Sequence, residues 1–83
     1  MPEGRSLGVI ASEIRKAWKH GGAGVHPDAK PYVNAMATLR SVDDNYYNET
    51  GSSIVRYFLA NAGTWRGEDA RRIKAELKRL LGE

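Results

Sequence analysis

The sequence Ser52-Ser-Ile-Val-Arg-Tyr-Phe-Leu-Ala-Asn-Ala-Gly-Thr-Trp65 is the one stretch in which large apolar and aromatic side chains crowd together without a stripe of charges. Its apolar residues recur at the three- and four-residue spacing of one helical face. The members of this face are Ile54, Val55, Phe58, Leu59 and Ala62, and Tyr57 and Ala60 widen it. A helix that is apolar on most sides belongs in the interior. We therefore predict a central, mostly buried helix over residues 52–62.

Both ends of this helix have a predicted chemical cause. Ser52 or Ser53 can accept a hydrogen bond from a first-turn N–H, and Gly63 can adopt the positive φ that ends a helix. A buried strand is the competing interpretation, because Ile, Val, Tyr and Phe favour strands. The run Ala60-Asn61-Ala62 is poor strand material and favours the helix.

Two helices are predicted before this segment. Ser6 can cap a first helix over residues 6–19, and Asp28 can cap a second over residues 29–42. Pro31 falls in the first turn of the second helix, where its missing N–H costs little. The first helix has an apolar face of Leu7, Ile10, Ile14, Ala17 and Trp18, and the second has one of Tyr32, Ala35, Met36, Leu39 and Val42. The Gly-rich segment His20–Lys30 between them is predicted to be an exposed loop.

A fourth helix is predicted over residues 65–81. It begins at Thr64 or Gly67, and the acids at positions 68 and 69 place negative charge in its first turn, where the helix dipole favours it. Its inward stripe is Ala70, Ile73, Leu77 and Leu80. Arg72 lies four residues from both Glu68 and Glu76, which predicts ion pairs along this helix. Trp65 is expected to pack over the junction of the last two helices.

Together these elements predict an all-α fold, a single helical domain over residues 1–83 with about four short helices and a central third one. Residues 43–51 show no periodic pattern and are predicted to be a connecting loop. At 83 residues and with no cysteine, the chain must rely on a small core packed without disulfides. The predicted core consists of Trp18, Tyr32, Met36, Leu39, Ile54, Phe58, Leu59, Trp65, Ile73 and Leu77.

Charge and hydropathy limit the classes of partner that the chain can have. Thirteen basic and ten acidic residues give a net charge of +3, which permits a nucleic-acid partner without requiring one. No apolar run approaches the roughly 20 residues that span a bilayer, and the first residues lack the apolar segment of a signal peptide. We therefore expect a soluble, intracellular protein without a membrane partner.

Three patterns in the chain carry a resemblance to a known family. They are Pro31-Tyr32-x-x-Ala35-Met36, Ser53-Ile54-Val55-x-Tyr57-Phe58-Leu59-x-Asn61-Ala62-x-x-Trp65-x-Gly67, and Ala70-Arg71-x-x-Lys74-x-Glu76-Leu77. With Ile-x-x-Glu-Ile-x-x-x-Trp at residues 10–18, the chain resembles small uncharacterised proteins encoded by tailed phages, particularly those of actinobacteria. The segment Gly21–Pro27 departs from the pattern as an extension. The resemblance implies a phage or prophage origin, and hence the cytoplasm of a bacterial host; it implies no activity.

Residues that could support catalysis are few. His20 and His26 are the only imidazoles, and no further metal ligands accompany them at helical spacing. Asp43, Asp44 and Glu49 lack the twelve-residue pattern of a calcium loop. We therefore predict a protein that is not an enzyme, with no catalytic residue, no metal site and no cofactor.

Nucleic-acid binding is the alternative function. Arg71, Lys74 and Lys78 share one flank of the last helix and could contact phosphates. A helix-turn-helix does not fit, because a turn at Gly63 would place Asp69 and Arg72 at positions that should be buried. A solvated helix face also explains the three cations, and both interpretations stay open.

Protein binding is the preferred function. Tyr46 and Tyr47 lie in the predicted loop beside Asp44, and tyrosine is favoured in interfaces. Packing of at least one of the two tyrosines onto the core is an equally good explanation. The partner is expected to be a host factor or a second phage protein. Self-association through Val9, Val33 or Leu81 is a further possibility.

Overall fold

The computed structural model describes residues 5–19 and 24–82 of the chain. The described part contains four helices and one short hairpin: α1 (Leu7–Ala17), α2 (Lys30–Met36), β1 (Asn45–Tyr46), β2 (Glu49–Thr50), α3 (Gly51–Ala60) and α4 (Glu68–Leu80). The prediction of a mostly helical fold is confirmed. The prediction of a purely all-α fold is wrong, because residues 43–51 contain an antiparallel strand pair instead of a structureless loop. Residues 20–23 of the other predicted loop, His20–Lys30, lie outside the described residues, and this includes His20.

Helix α1 begins where the sequence predicts. The Ser6 hydroxyl accepts a hydrogen bond from the N–H of Val9 at 3.1 Å, which satisfies one of the free donors of the first turn. Two more free donors, the N–H groups of residues 7 and 8, bond the carbonyls of Arg40 and Leu39, each at 3.0 Å. The amino end of α1 is thereby tied to the segment that follows α2. The helix ends at Ala17, two residues before the predicted end.

Helix α2 is shorter than predicted and has a different cap. Its N-cap is Ala29, which makes no side-chain bond, so the prediction of an Asp28 cap is wrong, while Pro31 lies in the first turn as expected. The helix ends at Met36 instead of residue 42, and the Thr38 hydroxyl donates to a carbonyl of the last turn at 2.9 Å. The chain turns there because the carbonyls of residues 39 and 40 bond α1. Leu39 is buried nevertheless.

Helix α3 is capped at both ends by residues that the sequence analysis did not choose. Thr50, and neither Ser52 nor Ser53, is the N-cap: its hydroxyl oxygen accepts from the N–H of Ser53 at 3.1 Å. At the other end the Asn61 side chain donates to the Tyr57 carbonyl at 2.8 Å. Gly63 does not have a positive φ, so its predicted role as the helix stop is wrong.

The sequence left Thr64 and Gly67 as alternative starts of the last helix; α4 begins after Gly67, three residues later than the predicted range of 65–81, and three of the four residues of the predicted inward stripe are buried. Gly67 has φ 108°, which favours glycine, and Ala70, Ile73 and Leu77 are buried. The predicted ion pairs along the helix do not form. Arg72 bonds Glu13 of α1 and Asp69 instead.

Buried side chains from all four helices form one cluster. Three rings join the ends of α1, α3 and α4: Trp18 stacks on Trp65 with centroids 5.2 Å apart, and Phe58 meets both edge-on at 6.3 and 6.5 Å. Trp65 therefore packs on the end of α1 as well as on the last two helices. Eight of the ten predicted core residues are buried: Trp18, Met36, Leu39, Ile54, Phe58, Trp65, Ile73 and Leu77. The other two, Tyr32 and Leu59, are half-buried and pack against the cluster.

The prediction of a central, mostly buried third helix is wrong, because α3 has one principal helical neighbour, α2, and buries only one face. The main contacts pair α2 with α3, α1 with α2, and α1 with α4, so α1 and α2 each have two principal helical neighbours. Helix α3 buries one face, which includes the fully buried Phe58, and exposes Arg56, Tyr57 and Ala60. Tyr57 therefore lies outside the core instead of widening the buried face.

A four-member ion-pair network joins α1 to α4. Arg5 bonds both carboxylate oxygens of Glu76, at 2.7 and 3.0 Å, and also bonds Glu13 at 2.5 Å. Arg72 bonds the other oxygen of Glu13. Hydrogen bonds from the two arginines hold the pKa of Glu13 below its ordinary value, and bonds from Arg5 do the same for the pKa of Glu76. These contacts fix the outer side of α4 against α1.

Candidate protein-binding site

The segment between α2 and α3 is a hairpin with a two-residue loop. Asn45 pairs with Thr50 and Tyr46 with Glu49, which leaves Tyr47 and Asn48 to make the turn. Tyr47 has φ 56°, the only positive φ among the described non-glycine residues. Two-residue hairpin loops need positive φ at their first position and normally place glycine or asparagine there. A tyrosine at this place is therefore strained.

The two tyrosines of the hairpin have different environments. Tyr46 is half-buried and packs against the core cluster. Tyr47 is 86% exposed, and its ring meets the Tyr46 ring edge-on with centroids 4.7 Å apart. The sequence left open whether these tyrosines pack onto the core or are exposed for binding. Tyr46 packs onto the core, and Tyr47 projects from the loop.

Asp44 has a structural task at the base of the hairpin. Its carboxylate accepts hydrogen bonds from the N–H groups of Arg40 at 2.9 Å and Ser41 at 3.4 Å. Its backbone carbonyl accepts from the N–H of Gly51 at 2.6 Å. The structure therefore uses the carboxylate of this predicted site residue internally, to close the turn before the hairpin.

Gly51 fixes the hairpin against the fold. A Cβ at this position would lie 2.6 Å from the carbonyl oxygen of Ser41, so the backbones of the two segments approach as closely as only glycine allows. The next residue, Ser52, donates both its N–H and its hydroxyl to the Val42 carbonyl, at 2.9 and 3.2 Å. These bonds anchor the hairpin base and leave its tip in solvent.

The basic flank predicted on α4 is partly occupied by internal contacts. Lys74 donates from Nζ to the carbonyls of Ala62 and Trp65, both at 2.7 Å, and so closes the α3–α4 turn. Burial lowers the pKa of Lys74, and the charges of Lys78 and Arg66 lower it further. Arg71 and Lys78 are exposed. The sequence carries no local signal for the Lys74 bonds, because the acceptors lie nine and twelve residues earlier.

A partly exposed aromatic pair was not predicted from the sequence. Tyr57 of α3 is 47% exposed, and its ring lies 5.6 Å from the ring of Tyr32 on α2. Of the residues considered for self-association, Val9 is 51% exposed, whereas Val33 is buried and Leu81 packs against the core. Val33 therefore offers no surface for a second copy.

The candidate metal ligands are not brought together. The Nδ1 atom of His26 accepts a hydrogen bond from the Asp28 N–H at 3.0 Å. Within residues 5–19 and 24–82, no group of three or more His, Asp or Glu side chains could hold a metal ion. No helix in these ranges is long and apolar enough to cross a membrane.

Comparisons with protein-family models, with curated proteins and with solved structures give no significant match to this chain.

Proposed function

We propose that this chain is a non-enzymatic binding protein that contacts another protein through the tip of the β1–β2 hairpin. The observation that carries the proposal is the conformation of Tyr47, a large aromatic residue that is 86% exposed at a backbone φ of 56°. The ring adds little to the core, and the backbone conformation favours a different residue.

The backbone of Tyr47 is strained. A non-glycine residue in the left-handed region costs about 1–2 kcal/mol, and asparagine bears this cost better than tyrosine. Backbone strain of this kind concentrates at functional sites. Folding alone therefore favours asparagine or glycine here, and a role in contact with a partner accounts for tyrosine.

The chemistry of the hairpin tip suits a protein surface. Tyrosine offers a rigid ring with a polar hydroxyl end and is enriched among the residues that dominate binding energy. Tyr46 supports the Tyr47 ring edge-on, and Asp44 and Gly51 hold the base of the hairpin in place. A preorganised aromatic anchor loses little freedom on binding.

The expected partner follows from the resemblance of the sequence to small proteins of tailed phages. We infer a host factor or a second phage protein in the cytoplasm of a bacterial host. Affinity capture from a nuclease-treated actinobacterial lysate tests the proposal with three forms of the protein: wild type, Tyr47→Asn and Tyr57→Gln. The third form is a matched control, because Tyr57 is also an exposed tyrosine.

The proposal expects a partner retained by wild type and by Tyr57→Gln and lost with Tyr47→Asn. An anchor tyrosine contributes about 2 kcal/mol or more, which lowers affinity roughly thirtyfold. A partner lost with Tyr57→Gln and kept with Tyr47→Asn would move the site to the α2–α3 face and contradict the proposal.

A further inference from the structure

Helix α4 carries three cations along one flank. Asp69 and Glu76 lie on a different flank, where they bond Arg72 and Arg5 respectively. Arg71, Lys74 and Lys78 lie at three- and four-residue spacing on the opposite flank. From residue 71 to residue 78 that second flank carries cations and no acid, and Glu68 lies beside its amino end.

The positive charge of this flank continues into the segment before α4. Arg66 is exposed, and its charge acts on Lys74 together with that of Lys78. Arg66 also stands between two shallow grooves, of about 280 and 310 Å³, which share Trp65 as a wall. Lys19 lines the first groove, and Arg71 and Lys74 line the second. No acidic side chain of the described residues lines either groove.

The cations of this surface are not neutralised by ion pairs. Within residues 5–19 and 24–82, Lys19, Arg66, Arg71 and Lys78 make no ion pair, in contrast to the arginines of the α1–α4 network. Lys74 bonds only backbone carbonyls and keeps its charge uncompensated. Five positive charges thus lie together over the α3–α4 turn.

The geometry points to a binding surface for the phosphate backbone of a nucleic-acid duplex, formed by Lys19, Arg66, Arg71, Lys74 and Lys78. We call it the basic surface. It is separate from the hairpin tip and does not depend on the function proposed for Tyr47.

The absence of apolar anchors favours a phosphate backbone over a protein partner. The exposed large apolar side chains of the described residues are Val9, Tyr47 and Tyr57, and none belongs to the basic surface. Protein interfaces need apolar or aromatic side chains at their centre. The Trp65 ring beneath the surface is only 4% exposed and cannot stack on a base. Without a stacking platform, the basic surface suits a duplex better than a single strand.

The dimensions agree with a backbone contact. Arg71 and Lys78 are seven residues apart on one flank, which corresponds to about 10 Å along the helix. Phosphates of one strand advance about 3.4 Å along a duplex, so the flank covers about three of them. Contacts of this kind carry no base information, and binding is expected to be independent of sequence.

The test is fluorescence anisotropy with a labelled 30-base-pair duplex of mixed sequence between about 50 and 200 mM salt. Five phosphate contacts predict a log–log slope of about −4.5, which is roughly a 500-fold loss of affinity over this range. The triple variant Arg66→Gln, Arg71→Gln, Lys78→Gln should lose more than about tenfold in affinity at 100 mM salt and reduce the slope to about −1.8, so that its affinity falls only about 12-fold over the same salt range. Lys74 is left intact because it holds the α3–α4 turn.

A matched control separates the basic surface from net charge. The variant Lys16→Gln, Lys30→Gln, Arg40→Gln removes the same three charges at other exposed positions, and it should bind within about threefold of wild type. Circular dichroism and thermal unfolding establish that both variants fold. Equal losses in the two triple variants, no duplex binding at 50 mM salt, or equally tight binding of polyglutamate would each overturn the inference.

Discussion

The strain at Tyr47 predicts how substitutions there change stability. Asn, Gly and Val each remove the Tyr47 ring and its edge contact with Tyr46, and differ mainly in their tolerance of the observed φ of 56°. Asparagine and glycine accept this φ, whereas a β-branched residue resists it. The three variants therefore separate backbone strain from the lost ring contact.

The expected changes in the free energy of unfolding follow from the exposure of the Tyr47 side chain and from its backbone φ. Because Tyr47 is 86% exposed, its ring buries only roughly 30 Å², worth less than about 1 kcal/mol. Relief of backbone strain in Tyr47→Asn stabilises the fold by about 1–2 kcal/mol and offsets the lost ring contact. The free energy of unfolding of this variant should therefore lie within about 1 kcal/mol of the wild-type value or above it. Tyr47→Gly gains the same relief and loses about 0.5–1 kcal/mol through the freer unfolded chain. Tyr47→Val should be about 1–2 kcal/mol less stable than Tyr47→Asn.

Urea unfolding followed by circular dichroism measures these differences, and thermal unfolding checks them. A difference of 1 kcal/mol moves the midpoint of a domain this size by about 4–8 °C. Equal stability of Tyr47→Val and Tyr47→Asn would contradict backbone strain at Tyr47, because it would mean that residue 47 does not need a left-handed conformation.

Three further predictions concern the core, the α3–α4 turn and the ion-pair network. Phe58→Ala should cost about 3–5 kcal/mol in urea unfolding, since the ring is fully buried against the edges of the stacked pair Trp18 and Trp65; an unchanged midpoint would contradict this packing. Lys74→Met should cost about 1–2 kcal/mol because it removes both bonds to the turn carbonyls, while Lys78→Met on the same flank should change stability by less than about 0.5 kcal/mol. The lowered pKa of Glu76 means that its contribution is present above the ordinary pKa of about 4.3 and is lost as pH falls through the folded value. Melting temperatures from pH 7 to 3 should therefore fall less steeply in Arg5→Met than in wild type, and parallel curves would contradict the role of the Arg5 pair.

The periodic parts of the chain were predictable from the sequence. Helices α1 and α4 follow strict apolar stripes; the predicted start of α1 at Ser6 is confirmed, and of the two starts offered for α4, Gly67 is the N-cap. The burial of Trp18 and Phe58 follows from their apolar spacing, and that of Trp65 from its place at the junction of the last two helices. Local pattern and tertiary packing agree in these segments, which is why the sequence sufficed.

The predictions that fail depend on contacts between distant segments. Helix α2 ends early because residues 39 and 40 bond the start of α1, more than thirty residues before them in the chain. Residues 45–50 carry no alternating apolar pattern, so the hairpin follows from the turn at Tyr47 and from the close approach of Gly51 to Ser41.

The candidate sites were likewise only partly predictable from the sequence. The sequence drew attention to Tyr46 and Tyr47, but only the folded chain distinguishes the half-buried ring from the exposed one. The internal roles of Asp44 and Lys74 rest on hydrogen bonds to backbone groups, which no side-chain pattern reveals. Arg66 joins the basic surface only because the α3–α4 turn folds over the start of α4.

Site-specific photocrosslinking tests directly whether the hairpin tip contacts a protein partner. A photoreactive phenylalanine analogue replaces Asn48, next to Tyr47 in the loop, or Ala60, which is exposed on α3 and serves as the control position. After irradiation in nuclease-treated actinobacterial lysate, we expect a discrete protein adduct from position 48 that disappears when Tyr47→Asn is added, and none from position 60. No adduct from position 48, or the same adduct from both positions, would contradict binding through the hairpin tip.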